Sequence, residues 1–399
     1  MWRDRVLALL SRDAAGPLLA AGVAGLFWAV AQAFTGVIQT LLTGLGVLLG
    51  LGLALASLRH LTTLAAARRA QPPPGRMIDL GGYRVHLLAE GELQPDRPPV
   101  VLFAGGHACG YSIHHLHRAL RQHTRSILID RPGTGWSDVG PFPRSTAGEA
   151  EEVIAAIERS GEAGPFVWAG HSFGGLLVAN GARRRPDLVH SLVLLDPTPL
   201  ETIVFGPRLS ALGDMRRTAW LGGFAQHFGL NLIRRHEARA RLNPAYAKTL
   251  DATYAVLGPD VRAARRIEAN PGNFFAQASI YRELSPEGVA ACAWQTVVYD
   301  RDLGDMPLWL VAPQDNQDSD ISTLPEAQSG DAANARRMFS FFAATRERYL
   351  AASTQSRRIV APKGSGHNFV YEHPDWTIAV MLARVCGTAL PGPEPGEQP

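Results

Sequence analysis

The sequence predicts an α/β domain built on a largely parallel β-sheet, preceded by a helical membrane segment. Short unbroken apolar runs, such as Val100–Phe103 and Phe166–Ala169, are typical of strands buried on both faces. Helical stretches separate these runs, and strands alternating with helices indicate a parallel sheet covered on both sides. Before this pattern begins, the chain has no charged side chain from Ala14 to Leu58.

Composition excludes several classes of protein. At 399 residues the chain has ample length for a substantial core. Its net charge is only +3, and no dense basic stretch is interleaved with aromatics, so we expect no nucleic-acid partner. Three widely spaced cysteines, Cys109, Cys292 and Cys386, match neither a disulfide framework nor paired zinc ligands.

The charge-free stretch is long enough for two membrane helices. A single span needs about 20 apolar residues, so residues 1–60 are predicted to form a helical hairpin with its turn between Gln32 and Gln39. Gly46 and Gly50 have the small-residue spacing that lets membrane helices approach closely, although such helices also tolerate glycine without any packing role. A cleaved signal peptide is the alternative, since Ala29-Val30-Ala31 has the small-x-small form.

Arginines flank the apolar stretch on both sides. Because positive charge favours the cytoplasmic side, we expect both ends of the hairpin, and the domain that follows, to be cytoplasmic. The juxtamembrane arginines would also rest on anionic headgroups. Residues 61–76, which include Gln71-Pro72-Pro73-Pro74-Gly75, are predicted to be a stiff linker. The flanking arginines are Arg3, Arg5, Arg12, Arg59, Arg68, Arg69 and Arg76.

The remaining chain divides into a core, an insertion and a tail. The core is predicted over residues 77–199 and 306–387, where apolar strands alternate with helices. Residues 200–305 are mostly helix-like and are predicted to cover one edge of the sheet. Residues 388–399 are rich in Pro and Gly and are predicted to be disordered.

The strand Phe166–Ala169 ends in Gly170-His171-Ser172-Phe173-Gly174. Gly170 and Gly174 allow a sharp bend, and Ser172 would be presented outward at the start of the next helix. The free N–H groups of that helix face any negative charge that forms there. This strand, turn and helix together indicate a nucleophile elbow rather than a chance Gly-x-Ser-x-Gly match.

From Met77 to Gly387 the chain resembles the α/β-hydrolase superfamily, in its esterase-like branch with a helical cap. The resemblance implies an eight-stranded, mostly parallel sheet with helices on both faces and a cap after the sixth strand. The chain differs from many relatives at Ala104, because those relatives have histidine at this position. The matching motifs, in chain order, are Ala104 to His107, Asp130 to Ser137, Gly170 to Gly174, Asp196, and Gly366-His367.

Serine needs a base, and the base needs an orienting acid. The resemblance implies His367 as the base, since it follows the last strand in a glycine-rich loop. The acid is open between two candidates: Asp196, which we favour slightly, and Asp315 after the seventh strand, one position before the family's usual slot. His171 is expected to pack away from the nucleophile.

The backbone N–H groups of Phe173 and Gly106 are expected to form an oxyanion hole. Asp130 to Ser137 is expected to be a scaffold loop, because its Gly-x-Gly lacks the remaining features of a dinucleotide site. We predict no metal site and no cofactor, since the spacing of the clustered histidines matches no metal signature. These histidines are His107, His114, His115 and His117.

The sequence therefore predicts a membrane-anchored serine hydrolase that cleaves carboxylic esters through an acyl-enzyme. Its expected partners are a small or lipid-like ester, with an apolar acyl group, and the bilayer. Amidases, acyltransferases and carbon–carbon hydrolases use the same fold and triad, and fold alone does not choose between them. If the chain is not an enzyme, the alternative is a catalytically inert membrane scaffold that keeps the fold for partner binding. Ser172 argues against epoxide hydrolases and dehalogenases, which would need a carboxylate at that position.

Overall fold

The computed structural model describes residues 2–200, 209–230, 254–258, 260–285, 297–313 and 332–392, with the single positions 241, 247 and 251. The N-terminal region is helical. Helix α1 (Trp2–Leu10) is followed by α2 (Ala15–Ala31) and by the long α3 (Gly36–Ala70). The turn between α2 and α3 lies within the predicted interval, where the Gln39 side chain donates a hydrogen bond to Gln32 Oε1 at 3.4 Å.

Helices α2 and α3 pack against each other as the predicted hairpin. At Gly46 a Cβ would lie 2.4 Å from Phe27 Cβ, and at Gly50 it would lie 2.8 Å from Ala24 Cβ. At Gly44 and Gly52 nothing lies within 4 Å of that position. The first two glycines therefore have a packing role, and the last two face outward.

Among the described residues, α3 is the helix that is long and apolar enough to cross a membrane by itself. Helices α1 and α2 pass the same test only as a pair, and they are bent by 109° relative to each other. One or two apolar helices of this kind are consistent with an anchor. The apolar character of α3 ends near Leu58, where Arg59 begins its polar part.

The predicted linker boundary is wrong. We expected residues 61–76 to link anchor and domain, but α3 continues to Ala70, because Leu, Ala and Arg favour helix and no Gly or Pro interrupts them before Pro72. Only residues 71–75 connect α3 to the first strand. Two contacts hold the end of α3. Arg68 forms an ion pair at 2.7 Å with Asp13, between α1 and α2, and the indole of Trp136 in the domain donates to the Gln71 carbonyl at 3.0 Å.

Eight strands form one sheet with the order β1-β2-β4-β3-β5-β6-β7-β8. Strands β1 and β2 form an antiparallel hairpin, β2 is antiparallel to β4, and all other neighbours are parallel. The predicted eight-stranded, mostly parallel sheet is thereby confirmed. The strands are β1 (Arg76–Asp79), β2 (Arg84–Glu90), β3 (Val100–Phe103), β4 (Ser126–Ile129), β5 (Phe166–His171), β6 (Val189–Leu195), β7 (Leu308–Ala312) and β8 (Ser356–Val360).

Helices cover both faces of this sheet. One core cluster joins the strands to α5 (Thr146–Ser160), α6 (Phe173–Arg184) and the end of α10 (Ala332–Ala351). The other joins them to α4 (His114–Leu120) and α12 (Pro374–Cys386), while the short α11 (Phe369–Glu372) precedes α12. Strands β3 and β5 are buried along their whole length, as their unbroken apolar sequences require.

The described part of the insertion consists of α7 (Leu209–Gln226), α8 (Asp260–Glu268) and α9 (Pro271–Glu283). Helix α9 begins with Asn270, whose side chain accepts from the Asn273 N–H, and with a proline at its first position. It is tied to the core at Thr146, which donates from its N–H and its hydroxyl to Glu283 Oε2 at 2.9 and 2.8 Å. Of the predicted disordered tail, residues 388–392 have no helix or strand and the others lie outside the described residues.

Candidate active site

Ser172 lies at the bend between β5 and α6, as the motif predicts. Its backbone has φ 54° and ψ −118°, a region that non-glycine residues rarely occupy. The bend is closely packed: a Cβ at Gly170 would lie 2.3 Å from the Gly174 carbonyl oxygen, and one at Gly174 would lie 2.5 Å from that of Phe103. Glycine at both positions is what lets the chain place the Ser172 hydroxyl at the sheet edge.

His367 lies in the loop after β8, beside Ser172. Its Nε2 is 3.0 Å from Ser172 Oγ, and its Nδ1 is 2.7 Å from Asp196 Oδ2. Residues about two hundred positions apart thus form one hydrogen-bonded chain, because the carboxyl ends of parallel strands meet at one edge. In this arrangement Nδ1–H donates to the carboxylate, and Nε2 is free to accept the serine proton.

Asp196 is the carboxylate that contacts His367. It follows β6 directly, and its N–H donates to the Val311 carbonyl at the end of β7 at 2.7 Å. Its φ of 43° is also in the left-handed region, which turns the side chain toward the histidine. The other candidate acid, Asp315, lies outside the described residues.

A second side chain also contacts Asp196. Arg346 on α10 is buried, and its Nη2 lies 3.1 Å from Asp196 Oδ1, so the two carboxylate oxygens have different partners. Burial alone would raise the pKa of Asp196, but its hydrogen bonds to His367 and Arg346 and the charge of Arg346 lower that pKa below its ordinary value. Asp196 is therefore an anion at neutral pH.

His171 does more than pack, which corrects our expectation for this residue. Its Nε2–H donates to the backbone carbonyl of His367 at 3.0 Å, and the two imidazole rings lie 4.9 Å apart. Burial lowers the pKa of His171 to about 3, so its ring is neutral at physiological pH. It therefore holds the His367 loop without placing a second positive charge beside the base.

The loop after β3 lies against the serine. A Cβ at Gly105 would be 3.0 Å from Ser172 Cβ, and Gly106 follows with φ 52°. None of the hydrogen bonds within the described parts of the chain uses the N–H of Gly106 or Phe173. Both amides are thus available at the start of α6, where the helix dipole favours an anion.

Arg131 contacts both Gly106 and Phe173. Its guanidinium lies over the Phe173 ring, 4.7 Å from the centroid, and donates to the Gly106 carbonyl oxygen. It is buried and paired with Glu149 at 3.0 Å. Because hydrogen bonding turns the Gly106 carbonyl toward Arg131, Arg131 fixes the orientation of the loop beside Ser172.

Helix α9 of the insertion holds the same loop. The Asn273 side-chain amide donates to the Gly133 carbonyl at 2.8 Å and to the His107 carbonyl at 3.3 Å. Beside α9, apolar residues of α6 and α9 form a cluster that includes Phe173, which directly follows the serine. The members of the cluster are Phe173, Leu176, Leu200, Ile280, Leu284 and Val297.

Two of the clustered histidines, His115 and His117, are held by hydrogen bonds to other parts of the domain. Glu90, His114 and His117 bring three possible ligand atoms within 4.8 Å of one another. However, His117 bonds Ser126 Oγ through Nδ1 and Glu90 through Nε2, both at 2.9 Å, and Arg121 also contacts Glu90. This group lies at the amino ends of the parallel strands, the opposite edge from Ser172.

The Asp130 loop is a scaffold, since Asp130 accepts from the Gly110 and Trp136 N–H groups at 2.7 and 3.1 Å.

Sequence reasoning missed three contributors to the site. Arg346 lies on a long helix with no local motif, and nothing in its sequence distinguishes it from a surface arginine. The backbone bond of His171 depends on a loop almost two hundred residues away. Arg131 could have been noticed, since it stands within the loop motif that follows β4.

The eight-stranded sheet and the hydroxyl, imidazole and carboxylate at its edge define a class of protein. A family model described as the alpha/beta hydrolase fold matches residues 98–265. The chain has the α/β-hydrolase fold, and its residues 98–265 are similar to that family. A solved structure of a hydrolase from Pseudomonas aeruginosa PA01 has the same fold, with a TM-score of 0.51, 15% identity, and coverage of 78% of this chain and 98% of that one.

Two curated relatives match at similar identity. "Putative carbamate hydrolase RutD" of Stutzerimonas stutzeri is 29% identical over 193 residues, which are 46% of this chain and 69% of that protein. "Uncharacterized vacuolar membrane protein" of Saccharomyces cerevisiae is 29% identical over 133 residues, which are 29% of this chain. The match spans only 20% of the yeast protein's length. The yeast relative and the apolar helix α3 suggest membrane association.

Proposed function

We propose that this chain is a membrane-anchored serine hydrolase that cleaves carboxylic esters with an apolar acyl group. The observation that supports this most is the hydrogen-bonded chain from Ser172 Oγ through the His367 ring to Asp196, with distances of 3.0 and 2.7 Å. These lie within the reach that a nucleophile, its base and the orienting acid require. Ser172, His367 and Asp196 are the residues we assign to catalysis.

The proposed reaction begins when His367 Nε2 accepts the Ser172 proton as Oγ attacks the ester carbonyl. Asp196 holds the imidazole in the productive tautomer and stabilises the imidazolium. The carbonyl oxygen becomes an oxyanion that the Phe173 and Gly106 N–H groups stabilise, each contributing about 3 to 4 kcal/mol. His367 then protonates the leaving alcohol, and water hydrolyses the acyl-enzyme by the reverse proton transfers.

Two features support the finer parts of the proposal. The apolar cluster around Phe173 and Ile280 lies next to the serine, so an acyl chain entering there would meet hydrocarbon side chains. The arginines on both sides of the apolar stretch support a cytoplasmic location for the domain. A membrane-impermeant protease added to intact cells tests this location. Cleavage of the domain in such cells would place it outside.

An activity-based fluorophosphonate probe tests the catalytic assignment. We expect the full chain in lipid nanodiscs to be labelled and Ser172→Ala to lose all labelling, while Ser340→Ala, on α10, labels like the parent. The parent should also release alcohol from a chromogenic acyl-ester series, with turnover rising as the acyl chain lengthens. An unlabelled parent, or a Ser172→Ala variant labelled to the same extent, rules out the serine mechanism.

A carbamate is the second candidate substrate, since one relative is named as a carbamate hydrolase. The same serine, base and oxyanion donors can attack a carbamate carbonyl. Turnover rates on matched carbamate and ester substrates with the same leaving group distinguish carbamate hydrolysis from ester hydrolysis. Faster turnover of the ester supports ester hydrolysis, and faster turnover of the carbamate supports this alternative.

A further inference from the structure

Helix α1 has two apolar faces, and the domain covers only one of them. Leu7 and Leu10 are buried against the insertion, in a cluster with Phe275 of α9. Trp220 and Phe224 of α7 pack against the same cluster. His227, just after α7, donates from Nε2 to the Leu10 carbonyl at 2.9 Å. These contacts fix α1 to the helices that lie above the candidate active site.

The second face of α1 consists of Trp2, Val6 and Leu9. These residues are spaced four and three apart, so they lie on one side of the helix. Trp2 is 70% exposed and Leu9 is 49% exposed, although both are strongly apolar. Arg3 and Arg5 are exposed beside them. An apolar stripe flanked by arginine, with tryptophan at its end, is the composition of a helix that lies in a membrane interface.

The orientation of α1 agrees with that composition. It bends by 109° from α2, so if α2 and α3 cross the bilayer, α1 runs nearly along its surface. The exposed stripe of α1 is followed, after a short break, by the exposed Leu18 at the start of α2, and more exposed apolar side chains continue along the hairpin. On the neighbouring α7, Leu221 is also exposed next to Trp220.

We propose that the face formed by Trp2, Val6 and Leu9 lies in the headgroup layer of the bilayer. The occupant of this face is lipid, because the face is continuous with the apolar surface of the hairpin and its arginines complement anionic headgroups. Through Leu7 and Leu10, this contact seats the insertion of the hydrolase domain on the membrane. The domain is then held in one orientation rather than suspended from a flexible anchor.

Spin-label accessibility tests the contact without reference to catalysis. Nitroxides are attached at Val6→Cys and Leu9→Cys in the full chain, with Cys292 and Cys386 replaced by Ser, in nanodiscs with and without phosphatidylglycerol. Leu93→Cys, an exposed leucine in the loop after β2, is the control. We expect the α1 labels to collide more often with oxygen than with a nickel chelate, and the control to show the reverse.

Two results would overturn the proposal. Labels on α1 that respond to oxygen and nickel chelate as Leu93→Cys does would place that face in water. Labels shielded from both, with dipolar broadening that disappears on dilution with unlabelled chain, would show that a second copy covers it. Both labelled positions are exposed, so the label itself does not disturb the fold.

A consequence for substrate class rests on the proposed function: esters would reach Ser172 from the bilayer. We expect Val6→Glu with Leu9→Glu to lower hydrolysis of a vesicle-embedded long-chain ester about tenfold and to leave a soluble short-chain ester unchanged. Equal rates for variant and parent on the embedded ester would refute this route, as would equal losses on both esters. If the parent hydrolyses neither ester, the proposed function fails, while the spin-label result stands independently.

Discussion

Asp196 accepts hydrogen bonds from two side chains, and these contacts are not equivalent. Oδ2 accepts from His367 at 2.7 Å and Oδ1 accepts from the buried Arg346 at 3.1 Å. The first bond selects the imidazole tautomer, and the second fixes the rotation of the carboxylate about its own axis. In the proposed mechanism Arg346 is therefore a positioning residue, which acts through Asp196 and does not touch the reacting atoms.

Replacing Arg346 tests this role. Arg346→Met keeps the length of the side chain but leaves Oδ1 without that partner, at a cost of about 1 to 3 kcal/mol of folding free energy. We expect turnover to fall about tenfold, well short of the roughly 10⁴-fold loss expected for Asp196→Asn. Because Arg346 lowers the pKa of Asp196, its removal should also move the acidic limb of the pH–activity profile to higher pH.

Arg348→Met is the matched control on the same helix, since Arg348 instead donates to the Val298 carbonyl and lies over the Tyr349 ring. It should leave the pH profile of the parent unchanged. A profile of Arg346→Met that is lower in amplitude but unshifted would mean that Arg346 only stabilises the fold. Steady-state kinetics on one chromogenic ester from acidic to neutral pH distinguish these cases.

The sequence predicts residues of the site only where a local pattern encodes them. Ser172 stands in a five-residue motif, and His367 in a loop motif whose order along the chain is informative. Asp196 could be ranked above Asp315 but not chosen from residues alone, because its contact with His367 joins positions 171 residues apart in the chain. Arg346 was not predictable, since its contact joins α10 to the end of β6 across 150 positions.

At the scale of elements, the sheet was predictable because its strands are apolar runs with turn residues at their ends. Strand β3 matches its predicted bounds, Val100–Phe103, and β5 extends two residues beyond the predicted Phe166–Ala169, to His171. The end of α3 was not predictable from hydropathy, which stops indicating a membrane helix at Leu58. Helix propensity and docking on the domain extend it to Ala70.

The hairpin offers an internal comparison between inward and outward glycines. Gly46→Leu would force a side chain into Phe27, 2.4 Å from the new Cβ, while Gly44→Leu would enter open space. We expect Gly46→Leu to separate α2 from α3 and to cost about 1 to 3 kcal/mol of hairpin stability, as overpacking does. Gly44→Leu should be neutral.

Distances between spin labels on the exposed residues Leu26 and Leu48 report on the hairpin directly. The distance should lengthen in Gly46→Leu and stay at the parent value in Gly44→Leu. Equal distances in all three chains would mean that α2 and α3 do not pack closely at this point in the membrane.

On the scale of the whole molecule, the anchor and the hydrolase domain share a packed boundary. Leu7 and Leu10 of helix α1 are buried against the insertion, and the end of α3 lies against α8 and Trp136. The same insertion contacts the loop beside Ser172 through Asn273. The N-terminal helices and the candidate site are therefore connected through one layer of helices.

Buried histidines make the whole domain sensitive to acid. Burial lowers the pKa of His107, His114 and His171 to about 3 and that of His115 to about 4. In the unfolded chain these groups titrate near pH 6.5, so between about pH 6.5 and 4 the unfolded state binds more protons, and stability falls as pH decreases. Burial raises the pKa of Glu268 to about 7, which gives the opposite sign over part of this range.

For these five groups the difference near pH 5 is about three protons, which corresponds to a loss of roughly 4 kcal/mol per pH unit from them. We expect the thermal midpoint of the full chain in nanodiscs to drop steeply below about pH 6.5 and to be nearly constant from there to about pH 8. His115→Gln removes one titrating group while its amide can still donate to the Val370 carbonyl, which His115 Nε2 contacts at 2.9 Å. That variant should show a shallower acid dependence by about one proton. A midpoint that rises on acidification, or a slope that His115→Gln leaves unchanged, would show that these imidazoles are not neutral in the folded state.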